Sequence, residues 1–295
     1  MRRLILSLLA LAVLGLSIFW VVTMPHPRDM APYAALTADP AHGELVFWAT
    51  GCASCHMAPK AERDAELVLA GGQAFATQFG TFYAPNVSTD KDQGIGDWDL
   101  ATFVHAVQDG ISPEGEHFYP AMPYNAYTHM VPQDVVDLKA FMDTLPASTT
   151  PNVDHAVAFP FNIRRALGVW KFLFVSDAWV MPAPTPVVER GRYIVEAMAH
   201  CGECHTARNL LGGLQKSSWL AGAPLPDGPG RVPNITPAKL TWSEADIAAY
   251  LTTGFTPDFD VVGGPMAHVV ANMAKLPVSD VAAVVAYLKT VPAVP

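Results

Sequence analysis

The sequence predicts an all-α protein: two tandem domains of small helices wrapped in long loops, behind an apolar N-terminal helix. Three observations predict it. One plan of residues occurs twice along the 295-residue chain. The segments between its glycine and proline breaks carry helical spacing of apolar residues rather than two-residue alternation. The chain also opens on a long apolar run led by two arginines. With 51% apolar and 15% charged residues, the chain is not disordered and can bury two ordinary cores.

The first element covers residues 1–24. From Leu4 to Val22 the run is 19 residues long, broken only by Ser7, Gly15 and Ser17. A bilayer needs about 20 such residues, and the core of a signal peptide only about 7–15. Val21-Val22-Thr23 is a poor cleavage site, so an uncleaved anchor is expected, with a cleaved signal as the other reading. Arg2 and Arg3 hold the short end in the cytoplasm and send the remainder across the membrane. Residues 1–23 contain no acid, so the exported part carries −11 against −9 for the whole chain. Such an acidic body excludes nucleic acid as a partner, because no basic patch is available to meet phosphates.

The repeated plan gives the domains, expected at 38–147 and 186–295. Each starts with a helix, "DPAHGELVFWATG" with Asp39 as cap, and "PVVERGRYIVEAMAH". Each then carries a Cys-x-x-Cys-His motif, Cys52 to His56 and Cys201 to His205. Asn86 follows Cys52 by 34 residues and Asn234 follows Cys201 by 33. Both asparagines come after a proline, where they suit turns. Trp98 and Trp242 precede helical segments that stop at Gly110 and Gly254, and closing helices end each copy. Between the domains, residues 148–185 begin polar and turn aromatic in "AFPFNIRRALGVWKFLFVSDAWVMP". Arg164, Arg165 and Lys171 rule out a second span. An arm packed between the domains is expected; a strip for a membrane surface or a partner is the sharper reading.

The two motifs use every cysteine in the chain. Two thiols at this spacing match the two vinyl groups on one porphyrin edge, and the adjacent histidine then falls beneath the iron. Two covalently bound haem c groups are therefore expected, on Cys52 and Cys55 and on Cys201 and Cys204, with His56 and His205 as proximal iron ligands. A four-cysteine zinc site would have to join motifs 149 residues apart and would leave both histidines unexplained. A redox dithiol expects a βαβ setting, and simple disulfides do not explain the histidines.

A methionine as sixth ligand suits an electron carrier; an open position suits peroxidase chemistry. Met122 and Met266 each lie 12 residues beyond the glycine that stops a helix. This register makes them the expected iron ligands, with Met130 as the alternative to Met122. His105 and His117 are expected at the surface or at caps. Arg208, Trp98 and Trp242 could face haem propionates or simply pack.

These residues, with "GGQAFATQFGTFYAPNVSTDKDQGIGDW", "YPAMPY", "ERGRYIVEAMAHCGECHTARNLLGG", "PNIT" and "GGPMAHVV", resemble the di-haem class I cytochromes c. The likeness covers about 38–295 and is closest to the cytochrome c subunits of membrane-bound alcohol, gluconate and sorbitol dehydrogenases, although those usually carry three motifs. Some such relatives have Phe at the Met122 position and a methionine at that of Met130. The resemblance implies an electron carrier on the periplasmic side of the inner membrane. Its donor would be a dehydrogenase or another quinone-linked protein, and its acceptor an oxidase or another cytochrome. It also implies that Met266 is axial. The alternative is a di-haem enzyme, a peroxidase or a thiosulfate-oxidising cytochrome, which would need one iron without methionine.

Overall fold

A computed structural model describes residues 1–61, 65–225 and 228–295. Its first helix, α1 (Arg2–Val22), has no buried residue. At about 1.5 Å per residue it is ~31 Å long, close to the thickness of a bilayer's hydrocarbon core. The chain leaving it is held firmly. Thr23 is fully buried, and its carbonyl accepts a hydrogen bond from His117 Nε2 at 2.9 Å. Five residues on, Arg28 pairs with Asp109 at 2.8 Å and donates to Thr128 Oγ1.

The N-terminal repeat is built on α2 (Pro40–Thr50), α3 (Cys52–His56), α4 (Leu100–Asp109), α5 (Tyr124–Tyr127) and α6 (Pro132–Met142). Asp39 caps α2 as its sequence predicts, accepting from the amides of Ala41 and His42. The second repeat follows the same order. It starts with α8 (Pro186–Arg192), which runs on into a wider π turn over Tyr193–Met198. Then come α9 (Gly202–His205), α10 (Glu244–Thr253), α11 (Met266–Met273) and α12 (Val278–Thr290).

In each repeat the first helix crosses the last, α2 on α6 and α8 on α12. A glycine permits each crossing. A Cβ on Gly43 would lie 2.0 Å from the Asp137 carbonyl oxygen, and one on Gly191 would lie 1.9 Å from that of Ala283. The next layer is aromatic in both, Phe141 over Gly43 and Tyr287 over Gly191. Phe47, Val104 and Leu138 continue into Ile194, Val284 and Tyr287, so one apolar core runs through both repeats.

Helices dominate, but the expectation of an all-α chain needs correction. An antiparallel hairpin, β1 (Ala74–Thr77) and β2 (Gly80–Tyr83), follows the first motif, and β3 (Ala156–Val157) of the linker adds to it. A second small ladder joins β4 (Ala223–Pro224) to β5 (Arg231–Val232). These strands are too short for two-residue alternation to stand out in sequence, and only the first hairpin is closed by a tight turn, between Thr77 and Gly80. The linker does pack between the repeats. Its helix α7 (Leu167–Phe174) lies against the exit of α1 through Gly168 and against Gly213 of the second repeat through Phe174.

His117 is buried, not at the surface, and takes the other expected role, bonding the carbonyl of Thr23, the C-cap of α1. Burial holds its imidazole below the usual value of 6.5, with the nearby charges of Lys171, Arg165 and His26 acting in the same direction. Its contribution to holding this segment is thus fully present above about pH 6.5 and declines as pH falls through the lowered value. Amide exchange over residues 23–28, corrected for intrinsic rate, is expected to accelerate between pH 7.5 and 5. His117→Gln, which keeps a donor without titrating, is expected to remove that dependence.

Candidate functional site

The two Cys-x-x-Cys-His segments are short helical turns, and the same contacts hold both. His56 Nδ1 donates to the Pro85 carbonyl at 2.8 Å. His205 Nδ1 donates to the Pro233 carbonyl, also at 2.8 Å. Each proline precedes the asparagine of the repeated plan, and that asparagine makes the turn. Asn86 Oδ1 accepts from the Ser88 amide, and Asn234 Oδ1 from the Thr236 amide. Fixing Nδ1 orients the ring and leaves Nε2 as the free ligand atom. Burial, only partly offset by the proline contact, lowers the pKa of both imidazoles and keeps them neutral, the form that binds a metal.

Gly71 and Gly222, which sequence reasoning passed over, complete the brace. The Gly71 amide donates to the His56 carbonyl at 2.7 Å and the Gly222 amide to that of His205 at 2.7 Å. Both glycines have positive φ. A Cβ at either would strike the proline–asparagine segment, 2.5 Å from the Asn86 nitrogen or 2.9 Å from that of Asn234. The signal was present as Leu-Ala-Gly after each motif, Leu69–Gly71 and Leu220–Gly222.

All four cysteines are free thiols, with Cys55 and Cys204 exposed and Cys52 and Cys201 partly covered. Among the described residues, no three His, Cys, Asp or Glu side chains converge on a common point. Two thiols and a neutral imidazole with a free Nε2 form a donor set that fits haem c, once per repeat. Met122 and Met266 are partly buried at the rim of the core. Met130 and Met273 are enclosed within it, and the Met130 carbonyl accepts from Gln108 Nε2 at 2.8 Å.

Two asparagines that the sequence did not single out bind the motifs to each other. Asn125 of α5 donates to Glu203 Oε1 of the second motif at 2.7 Å. Asn272 of α11 donates to Ser54 Oγ of the first at 3.0 Å. Ser54 and Glu203 occupy the same place in their motifs, so each repeat reaches across and clasps the other's. These two bonds bring the motifs close to each other. Arg208 pairs with Glu203 and donates to the Gly212 carbonyl, which occupies its guanidinium.

Cutting both clasps by Asn125→Ala and Asn272→Ala is expected to cost about 0.5–1.5 kcal/mol each. Calorimetry would then resolve two unfolding transitions where the parent protein shows one.

Residues 40–146 and 188–292 each match the family model for cytochrome c. The chain belongs to the cytochrome c family. Over its whole length this cytochrome is 53% identical to a diheme cytochrome c-type protein of Cereibacter sphaeroides, covering 100% of both chains. It is 37% identical to the fructose dehydrogenase cytochrome subunit of Gluconobacter japonicus, over 91% of this chain and 56% of that one. With the cytochrome c subunit of a quinone alcohol dehydrogenase from Gluconobacter oxydans it shares 33%, over 86% and 55%. It thus spans little more than half the length of these dehydrogenase subunits. The cytochrome carries two covalently bound haem c groups and is an electron carrier, not a catalyst.

Proposed function

We propose that this cytochrome accepts electrons from a membrane-bound dehydrogenase or another quinone-linked donor and delivers them to a respiratory acceptor, on the periplasmic side of the inner membrane. Cys52 and Cys55 hold one haem and Cys201 and Cys204 the other. His56 and His205 are the proximal ligands, and Met122 and Met266 the sixth. The observation that carries this assignment is the matched pair of proline-braced histidines, each at the end of a turn that presents two free thiols.

The bound haem supplies a one-electron iron couple. The chain does the rest. The prolines fix the imidazoles, Gly71 and Gly222 brace the backbone behind them, and the crossed helices keep the frame rigid. The clasping asparagines tie each motif to the other repeat. Met130, enclosed in the core, serves packing, whereas Met122 at the rim is free to offer its sulfur. Methionine at both irons leaves no position open to substrate, so the peroxidase and thiosulfate readings draw no support.

The domains follow as 38–147 and 186–295, joined by 148–185. Residues 1–24 form an uncleaved anchor. The buried Thr23 and the cation–π contact of Arg165 over Trp20, at 4.1 Å, support that reading, because cleavage would discard a packed segment. The dehydrogenase names among the relatives support the choice of donor.

Gentle detergent extraction of the native protein, with mass-spectrometric identification of what stays bound, tests the role. A stoichiometric dehydrogenase is the expected companion. A cytochrome that comes out alone, and that no dehydrogenase fraction reduces, would overturn it.

A further inference from the structure

We infer that the outer face of α7 and the loop 209–213 form a seat that rests in the bilayer interface around the exit of α1. The inference builds on the anchor reading above.

The helix α7 packs Trp170 and Phe174 against Tyr124 and Gly213, yet turns its lysine inward and leaves other apolar residues in the open. Its body-facing side carries Gly168, packed on Thr23, and Lys171. The Lys171 ammonium donates to the carbonyls of Asp109 and Gly110 at 2.5 and 2.8 Å and lies 4.6 Å above the Tyr124 ring. Its outward side carries Phe172, 75% exposed, and Leu173, 54% exposed. An amphipathic helix in water buries the apolar face and exposes the lysine. Leu210, 90% exposed, and Leu211 adjoin it, because Trp170 Nε1 donates to the Leu211 carbonyl at 2.9 Å. Phe159 and Ile163, shortly before α7 in the chain, are exposed as well. A patch of this kind marks an interaction site.

Continuity with α1 identifies its occupant. Arg165 donates to Trp20 O at 2.7 Å and to Thr23 Oγ1 at 2.9 Å, while its guanidinium covers the Trp20 ring. These contacts fix α7 beside the end of a helix that is exposed throughout and, from Leu4 to Val22, apolar but for Ser7, Gly15 and Ser17. A bilayer that surrounds α1 must therefore end where α7 lies. Charge does not oppose it: residues 156–175 hold no acid, and Arg165 lies at the junction with α1, in a chain of net −9. Aromatic side chains beside cations are the composition that settles at the level of anionic headgroups.

The test uses the full-length, haem-loaded protein in vesicles of phosphatidylethanolamine and phosphatidylglycerol. One nitroxide at a time is placed at F172C, L210C, L14C or V278C, the last an exposed site on the second repeat's closing helix. Each variant must keep the parent's visible spectrum, which reports intact haem domains. The readout is collision with oxygen, which concentrates in lipid, against collision with a water-soluble nickel chelate. The proposal expects F172C and L210C to favour oxygen and V278C to favour nickel. F172C and L210C as open to nickel as V278C would overturn it. Shielding of both from both reagents would overturn it too, because that pattern means a protein, such as a second copy, covers the face. L14C reports on the anchor separately. Lipid exposure there with F172C in water removes the seat and spares the anchor; water exposure at L14C removes the anchor whatever F172C shows.

Discussion

Met122→Leu is expected to abolish the ferric sulfur-to-iron charge-transfer band of one haem and to lower the potential of that haem, with little loss of fold. The swap nearly conserves volume, so its stability cost stays under about 1.5 kcal/mol. Met130→Ala is expected to do the reverse. Met130 is 3% exposed within the first repeat's core, and truncating a buried methionine costs about 2–5 kcal/mol. The band should survive it at full strength. Loss of the band on changing Met130 would place the ligand there and refute the register that pairs Met122 with Met266. Near-infrared absorbance and denaturant unfolding of the two variants separate the outcomes.

Cys201→Ala with Cys204→Ala is expected to have the largest structural effect. The protein should purify with one haem per chain and half the parent's Soret absorbance. The second repeat is also expected to lose its fold, because its helices are short and its loops long. Segments so poor in core draw their stability from the group they bind. Limited proteolysis should then cut within 186–295 while 38–147 resists. A second repeat that stays protease-resistant without haem would show that the crossing of α8 and α12, with Gly191 seated on Ala283, suffices by itself.

Much of this architecture was legible in the sequence because the chain states it twice. A single Cys-x-x-Cys-His can arise by chance; two that open matching repeats locate the thiols, the histidines and the helix ends together. Asp39 as a cap and Gly110 and Gly254 as helix stops followed from local chemistry that acts within a few residues. The missed features depend on contacts distant in sequence. Asn125 and Glu203 are 78 residues apart, and Asn272 and Ser54 218. No local pattern distinguishes these asparagines from ordinary polar residues of a loop or helix. The strands escaped for the reason given above, since four residues hold too few alternations to read. His117 looked like a loop histidine because its partner, the Thr23 carbonyl, lies 94 residues earlier at the end of α1.

The central claim is that both irons are held between histidine and methionine, as an electron carrier requires. Near-infrared magnetic circular dichroism of the ferric full-length protein, quantified per mole of chain, tests it most directly. The account predicts two low-spin histidine–methionine signatures and no high-spin iron. One signature alone, or a bis-histidine or high-spin signal from either haem, would contradict it.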